Sequence, residues 1–540
     1  MLEGYTNVLY NMYLSEKKKE YIFGFIILLF SFFVNFHSGR LGIFPIDSFS
    51  FFDSAYNILN GKHPIKDYWA FSGIAIDYFQ AFFFKLFGVN WNSYLIHASF
   101  FNFLISILFF YFLIQNKLNI YFSFIYSLAL SILCYPVSGT PFSYQHSLIF
   151  SLGSIFLFLL AHKSKAKIYW FLLPLFFTLG FFSNQTPSAY ITLLLIFFIL
   201  YIFLFKKETY FFFSFFWGSL LSLFIFLLFL YLIDFQIINF FYQNFLFALT
   251  IGQERILGAE GAFVKLPNKI KFSNLFLDFK FIHIFVMLNI YILILDYRKK
   301  LQLRLSLNEK LGILILVIAC NLYIFHQLIT ANQTFIFCLI VVTGAYFHLL
   351  VQNRLFKKPV FIYFTFIMII ILSAKYFKRY SVDRYFMDLA NIDKSIAVDA
   401  GTLDSKLSNL SWITPGQFFK EPLNEINLIK EAIKYINNEK HSVMLITHYS
   451  FISAVINKDL NMPNRWYVGN NTHPNKNHKY FNFYKNFFLK KFNQSNIKII
   501  YIIDIAGYDL YSFKDYLDGV CFKETKLNMI TFKFEVKNCF

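Results

Sequence analysis

The sequence predicts a polytopic α-helical membrane protein with a C-terminal α/β domain outside the membrane. Of its 540 residues, 57% are hydrophobic and 15% are charged, a balance that lies outside the range of soluble globular proteins. About eleven apolar runs approach the roughly 20 residues that a bilayer-spanning helix needs. After residue 378 these runs stop, and charged residues, Asn and Pro become more frequent.

The apolar runs divide residues 1–378 into predicted spans and connections. The first run has no small-residue cleavage site before Arg40, so it is expected to remain as a membrane anchor rather than to be removed as a signal peptide. The predicted spans are 21–37, 94–114, 119–135, 145–162, 168–184, 187–205, 210–233, 279–297, 311–329, 333–351 and 359–377.

The distribution of Lys and Arg predicts the orientation of the chain. The net charge of +19 does not indicate nucleic-acid binding, because the basic residues gather in short clusters between apolar runs. Clusters at 17–19, 163–167, 298–304 and 354–358 occupy alternate connections, as in cytoplasmic loops. We therefore expect a multi-pass membrane protein with a cytoplasmic N-terminus. Loops 38–93 and 234–278 and the whole C-terminal domain then lie on the non-cytoplasmic side.

Residues 379–540 are predicted to form a small Rossmann-like α/β domain. Apolar residues recur at helical spacing over 423–437, β-branched runs at 443–447 and 497–503 predict strands, and a further helix is expected over 479–492. Cys521 and Cys539 both fall in this domain, where an oxidising compartment allows pairing. The sequence leaves open whether they pair. The other three Cys residues lie in apolar spans and are expected to be buried.

Carboxylates gather in the first outer loop, not in the membrane. The interiors of the predicted spans contain no Asp or Glu, which argues against an ion-coupled transporter. Asp47 opens a stretch whose apolar residues share one helical face, and a second such stretch covers 71–87. Both predict amphipathic helices on the membrane surface. The simplest role for Asp47 in this pattern is to cap its helix.

The first outer loop also resembles a known family. The sequence IDSFSFFDSAYNILNGKHPIKDYWAFSGIAIDYFQAFFFKLFG follows the first span. It is similar to the corresponding loop of the GT-C glycosyltransferases, the group that contains protein O-mannosyltransferases and the aminoarabinose transferase of lipid A. In that group an acidic residue soon after the first span precedes an A…llxGxxPyxD stretch and an interfacial helix ending in lfG. The matching residues here are Ala55, Leu59, Gly61, Pro64, Asp67, Leu86, Phe87 and Gly88.

The resemblance implies a GT-C-like membrane domain and glycosyltransferase activity. The donor is then a polyprenyl-phosphate sugar, and the acceptor is a lipid, glycan or protein hydroxyl on the non-cytoplasmic side. Matching the motif residue by residue makes Asp47 the candidate catalytic base, with Asp53 a close alternative. Asp67 falls on the second acidic position of the motif, where either substrate binding or a turn role fits.

Cationic and amide side chains in the outer loops are candidate substrate-binding residues. Lys62, His63 and Lys66 lie in the first loop, and Arg255 lies in the second. A guanidinium suits a leaving phosphate, although Arg255 also has Glu254 beside it as an ion-pair partner. The predicted turn FHQLITANQTF places polar groups at a membrane depth where they need cover from protein or a cavity. Its candidates for sugar or phosphate contact are His326, Gln327, Asn332 and Gln333.

Two departures from the family pattern leave metal dependence open. Asp47 is followed by Ser48 and not by a second acidic residue, and Tyr144-Gln145-His146 stands where many relatives have an Asp. His146 is a candidate ligand of a divalent metal ion or a structural histidine. The alternatives to a glycosyltransferase are a translocase or transporter of lipid-linked glycans and a polymerase or ligase of surface polysaccharide.

Overall fold

The computed structural model describes residues 2–537 apart from 136–138, 235, 261, 263, 301–303, 331–335, 355–358, 417–418 and 505–509. For residues 2–15, 353 and 354 it describes the backbone alone. The described chain is mostly helical and has a small sheet near its C-terminal end.

Each predicted apolar run is helical over most of its length. The helices are Leu2–Ser38, Trp91–Gln115, Ile120–Cys134, Ser143–Ser164, Lys167–Ser183, Gln185–Phe205, Phe212–Ile233, Lys280–Tyr297, Leu307–Thr330, Cys338–Arg354 and Pro359–Phe377. Within the described residues, 8 helices are long and apolar enough to cross a membrane, whereas Ile120–Cys134, Lys167–Ser183 and Cys338–Gln352 are shorter. The fold class is therefore confirmed in outline, and the number of spans stays a prediction.

The Ser143–Ser164 helix is the centre of the bundle. Nearly all its side chains are buried, and the Trp91–Gln115, Lys167–Ser183 and Gln185–Phe205 helices pack around it. The outer helices expose large apolar side chains, such as Phe213 at 73% and Leu232 at 71%. Exposed apolar surface is unfavourable in water by about 25 cal/mol per Å², so a lipid bilayer is the environment that suits this bundle.

The first outer loop folds into three helices, Pro45–Ser48, Ser50–Leu59 and Ile74–Phe87. The expectation that the second lies on the membrane surface is wrong. It has apolar side chains on several faces, and the C-terminal region covers them: Phe49, just before this helix, contacts Phe451 at 4.6 Å between ring centroids. The third helix does expose an apolar edge that includes Phe82, while its polar residues Asp77 and Gln80 face inward. An interfacial position suits that third helix.

The second outer loop is built from short helical pieces. Its α-helices are Ile237–Phe241, Ala248–Leu257 and Leu266–Lys269, and π-helical turns cover Tyr242–Phe247 and Ser273–Leu277.

The C-terminal region contains a mixed sheet with helices beside it. Its strands are β1 (Val398–Asp399), β2 (Ser411–Trp412), β3 (Val443–Thr447), β4 (Ile499–Ile503), β5 (Cys521–Lys526) and β6 (Thr531–Lys537). Its α-helices are Pro422–Asn437, Ile452–Ile456, Phe481–Gln494 and Phe513–Tyr516. Short 3-10 or π-helical turns cover Lys378–Val382, Tyr385–Met387, Lys394–Ile396, Ala400–Thr402 and Ser405–Leu407.

The main sheet has the order β3-β4-β6-β5, in which only β3 and β4 are parallel. These two buried strands and the helices at Pro422–Asn437 and Phe481–Gln494 confirm the α/β prediction. The β5–β6 hairpin is additional, so the sheet departs from an all-parallel Rossmann-like layer. Strand β5 is largely exposed and rich in charge, and it therefore carries no apolar pattern that predicts a strand.

The C-terminal region and the first outer loop share one hydrophobic core and pair through their main chains. Gly42 N–H donates to the Ser411 carbonyl at 3.0 Å, and Trp69 N–H donates to the Pro463 carbonyl at 2.8 Å. The boundary between residues 378 and 379 stays a prediction, but the core of the outer assembly crosses it.

The three cysteines of the apolar spans are buried, as predicted. Cys134, Cys320 and Cys338 are buried and free. Cys521 is disulfide-bonded, whereas Cys539 lies outside the described residues.

Candidate active site

The connections between the helices gather at two ends of the bundle. At one end, the ammonium of Lys163 donates to the Asn116 side chain at 3.0 Å. At the other, the two outer loops and the C-terminal region meet, and Arg255 donates to Asn471 at 3.0 Å. The residues predicted to carry chemistry belong to this second end.

Asp47 presents an unpaired carboxylate at the outer end. It is half-buried in the Pro45–Ser48 helix, and its side chain makes no hydrogen bond or salt bridge to any residue that the structure describes. The simpler role of helix cap is wrong, because neither the Pro45–Ser48 helix nor the Ser50–Leu59 helix has a side-chain cap. Burial raises the pKa of Asp47 from 3.8 to about 7. Such a carboxylate is suited to accept a proton near neutral pH.

Tyr144 interacts with Arg255 and lies near Asp47. It lies in the first turn of the central Ser143–Ser164 helix, where its hydroxyl interacts with the Arg255 guanidinium and is within electrostatic range of Asp47. Its ring also packs against His326, with 5.1 Å between the ring centroids. Three parts of the chain that are far apart in sequence therefore meet around one tyrosine.

Arg255 is held by hydrogen bonds and not by its sequence neighbour. Its Nη2 donates to Asn471 Oδ1 at 3.0 Å, and its Nη1 donates to the Ile329 carbonyl at 3.3 Å, which satisfies an open carbonyl at the end of the Leu307–Thr330 helix. The alternative of an ion pair with Glu254 is wrong, since that carboxylate instead approaches His478 at 3.9 Å.

Three buried polar atoms around this cluster lack a hydrogen-bond partner within the described part of the chain. They are Arg255 Nε, His326 Nε2 and Gln327 Oε1. A buried polar atom without a hydrogen-bond partner destabilises the fold by about 1–3 kcal/mol. Several such donors and acceptors close to one another therefore indicate a place where a polar ligand or water binds. His326 and Gln327 lie inside the Leu307–Thr330 helix and not in a turn. Asn332 and Gln333 lie outside the described residues.

The C-terminal region closes the site with a segment that the sequence did not identify. Asn471 supplies the carbonyl oxygen that holds Arg255, and the indole N–H of Trp466 donates to the Ile46 carbonyl, one residue before Asp47. Both side chains come from residues 466–473, a polar loop whose only sequence signal is its density of Asn, Thr and His.

Asp53 faces away from this cluster. It is buried beneath the C-terminal region, where Asn57 donates to its Oδ2 at 2.7 Å and Ser453 lies next to it. Burial raises its pKa to about 7 as well, but its charged neighbours are Asp459 and Lys491, not Arg255. Of these two carboxylates, Asp47 is the one that lies near Tyr144 and Arg255.

The candidate phosphate ligands of the first loop also lie elsewhere. Lys62 pairs with Asp459 at 3.0 Å, and Lys66 Nζ donates to the Ile233 carbonyl at 3.0 Å. His63 Nδ1 is 2.9 Å from the Tyr78 hydroxyl, and partial burial lowers the pKa of His63. These three residues therefore do not join Arg255, because the Ser50–Leu59 helix separates them from Asp47.

Asp67 has the turn role that the sequence left open. Its Oδ2 accepts a hydrogen bond from the His63 backbone N–H at 2.7 Å, which closes the loop after the Ser50–Leu59 helix.

One buried polar pair joins the C-terminal region to the first outer loop, and another lies within the bundle. Arg465 Nη1 donates to Asp77 Oδ2 at 2.6 Å, with the two side chains 2% and 0% exposed. His146 Nε2 lies 3.2 Å from the Tyr135 hydroxyl, and its ring packs on that of His97. Across the described ranges, no group of three or more His, Cys, Asp and Glu is arranged to hold a metal ion.

Comparison with known proteins adds no assignment. No protein-family model matches this chain, and no curated protein matches it significantly. The case for a function therefore depends on the site itself, which combines an unpaired carboxylate, an arginine with an open donor, and buried polar groups on neighbouring helices.

Proposed function

We propose that this protein is a membrane glycosyltransferase that moves a sugar from a polyprenyl-phosphate donor to a hydroxyl of a lipid, glycan or protein. The site lies where the outer loops meet the helical bundle. The proposal includes GT-C-like architecture, with the donor bound from the bilayer and the acceptor from the outer aqueous side.

One displacement step accounts for the reaction. The acceptor oxygen attacks the anomeric carbon, its proton passes to the Asp47 carboxylate, and the bond between the anomeric carbon and the phosphate oxygen breaks. Polyprenyl phosphate leaves with the electron pair of that bond, and the configuration at the anomeric carbon inverts. Arg255 stabilises the charge that develops on the leaving phosphate. His326 and Gln327 supply hydrogen-bonding groups that orient the sugar or phosphate.

The observation that carries the proposal is that the unpaired Asp47 carboxylate and the Arg255 guanidinium both lie near Tyr144. A carboxylate without a partner and with a pKa of about 7 has the property of a general base. The buried Nε–H of the Arg255 guanidinium has no hydrogen-bond partner among the described residues, and such a donor is suited to bind a phosphate oxygen. Packing does not require the Asp47 carboxylate, since a carboxylate that is half-buried without a partner destabilises a fold.

The proposed location is the bacterial inner membrane, with a cytoplasmic N-terminus and a periplasmic C-terminal region. Lys and Arg clusters in alternate connections support this orientation.

The test compares two carboxamide variants of buried carboxylates. Purified Asp47→Asn, Asp53→Asn and wild-type protein are incubated with radiolabelled polyprenyl-phosphate sugars and acceptor-containing membranes. General-base catalysis contributes roughly 100- to 10,000-fold, so we expect that loss for Asp47→Asn. Asp53→Asn retains the Asn57 contact and is expected to transfer sugar near the wild-type rate. Full activity of Asp47→Asn, or equal loss in both variants, contradicts the assignment of the base.

A further inference from the structure

A basic cavity lies at the other end of the Ser50–Leu59 helix from Asp47. It has a volume of about 540 Å³ and is enclosed by the first outer loop, the start of the second outer loop and the Phe481–Gln494 helix. Its charged lining residues are four lysines, namely Lys62, Lys66, Lys490 and Lys491, and one carboxylate, Asp67. The 10 residues of the intervening helix span about 15 Å, so this cavity is separate from the proposed transfer site.

The positive charge of the cavity is only partly neutralised. Lys62 pairs with Asp459, and Lys66 reaches Asp234 at 3.5 Å, although that carboxylate is 96% exposed. Exposed ion pairs of this kind contribute little to the stability of the fold.

The two lysines of the C-terminal region have no carboxylate partner. The ammonium of Lys490 makes no hydrogen bond or salt bridge to any described residue, and that of Lys491 donates only to the Asp67 carbonyl, at 2.6 Å. Burial lowers the pKa of Lys491 to about 8, and the nearby carboxylates of Asp459, Asp67 and Asp53, which act in the opposite direction, offset this only in part.

The remaining lining groups suit a phosphate at the membrane surface. Asn239, Asn486 and Gln494 add amide donors, and Phe483 and Phe487 form an aromatic wall. The neighbouring Gln236 and Asn239 follow directly after the Phe212–Ile233 helix, which is apolar enough to cross the membrane. The cavity therefore opens near one end of a membrane helix.

We propose that this cavity binds a phosphate group, carried either by an anionic lipid headgroup or by a soluble phosphate compound. Lys490 and Lys491 supply the unpaired charge, and Lys62 and Lys66 close the site from the first outer loop. The proposal does not depend on sugar transfer at Asp47. It assigns the Phe481–Gln494 helix a binding role in addition to its packing role.

The test uses the full-length protein in neutral detergent with two probes. One arm titrates inorganic phosphate, and the other counts phosphatidylglycerol molecules retained in native mass spectra, with phosphatidylcholine as the neutral comparison. The variants are Lys490→Gln and the double variant Lys490→Gln/Lys491→Gln. The matched control, Lys430→Gln/Lys434→Gln, removes two exposed lysines from another helix of the same region. The single variant removes no structural contact, so it guards against misfolding of the double variant.

We expect roughly tenfold or weaker binding of at least one probe to the double variant, a smaller loss for Lys490→Gln, and wild-type binding by the control. Selective loss of phosphatidylglycerol identifies a lipid source, and selective loss of inorganic phosphate identifies a soluble one. The proposal is overturned if Lys490→Gln and the double variant bind both probes as the control does, or if wild-type protein binds neither.

Discussion

The pH dependence of sugar transfer tests the environment of Asp47 quantitatively. The base must be unprotonated to accept the proton, so activity is present above its pKa and is lost as the pH falls. With a pKa of about 7, the unprotonated fraction at pH 5 is about 1%. We therefore expect kcat/KM at pH 5 to be about 100-fold below its plateau above pH 8.

The assay measures kcat/KM for the donor between pH 5 and 8.5 in purified protein, with thermal unfolding followed in parallel to exclude acid denaturation. Below pH 6 the logarithm of kcat/KM should fall with unit slope. A profile that is flat from pH 5 to 8, or one with a midpoint near the ordinary aspartate pKa of 3.8, refutes the reasoning. In either case the desolvated carboxylate is not the group that takes the proton.

Three further predictions concern the stability of the fold and the kinetics of the reaction with the donor. Because folding raises the pKa of Asp47, its ionisation weakens the fold as the pH rises from 3.8 to about 7; Asp47→Asn should raise Tm at pH 8 and have little effect at pH 4. Arg255→Lys should raise KM for the donor and lower kcat, roughly tenfold or more in kcat/KM, since a point charge cannot reproduce the planar fork; unchanged kinetics contradict the role. Arg465→Gln leaves Asp77 buried without its ion-pair partner and should destabilise the fold by about 3–5 kcal/mol, measured by denaturant unfolding; a change below about 1 kcal/mol contradicts the importance of this pair.

The helical bundle could be predicted because its signal is local. Each apolar run has the length and composition of a helix buried in protein or lipid, and the structure has a helix at every one. The grouping of Asp47 with Arg255 and His326 also follows from the sequence in part, since alternate connections lie at the same end of a bundle. The sequence does not predict that these three residues lie around Tyr144.

Tyr144 illustrates what the sequence could not supply. It appears there only as a departure from a family pattern, and its contact with Arg255 depends on how the central helix meets the second outer loop. Asn471 is more distant still, in a loop of the C-terminal region. Such contacts depend on tertiary packing, which leaves no periodic signal in a single sequence.

The Ser50–Leu59 helix shows how tertiary packing overrides a local pattern. Its apolar face predicts a surface helix, but the C-terminal region covers it and forms a common core. The same packing brings Lys490 and Lys491 to the basic loop of residues 62–67. In the sequence these lysines appear as part of an ordinary amphipathic helix.

The most direct test of the proposed reaction is release of lipid phosphate by the purified wild-type protein. The protein is incubated with a panel of polyprenyl-phosphate sugars in the presence of membrane acceptors, and free polyprenyl phosphate is quantified. We predict release from at least one donor, with the sugar recovered in covalent linkage to an acceptor. Absence of release from every donor, by protein that remains folded throughout, contradicts a glycosyltransferase.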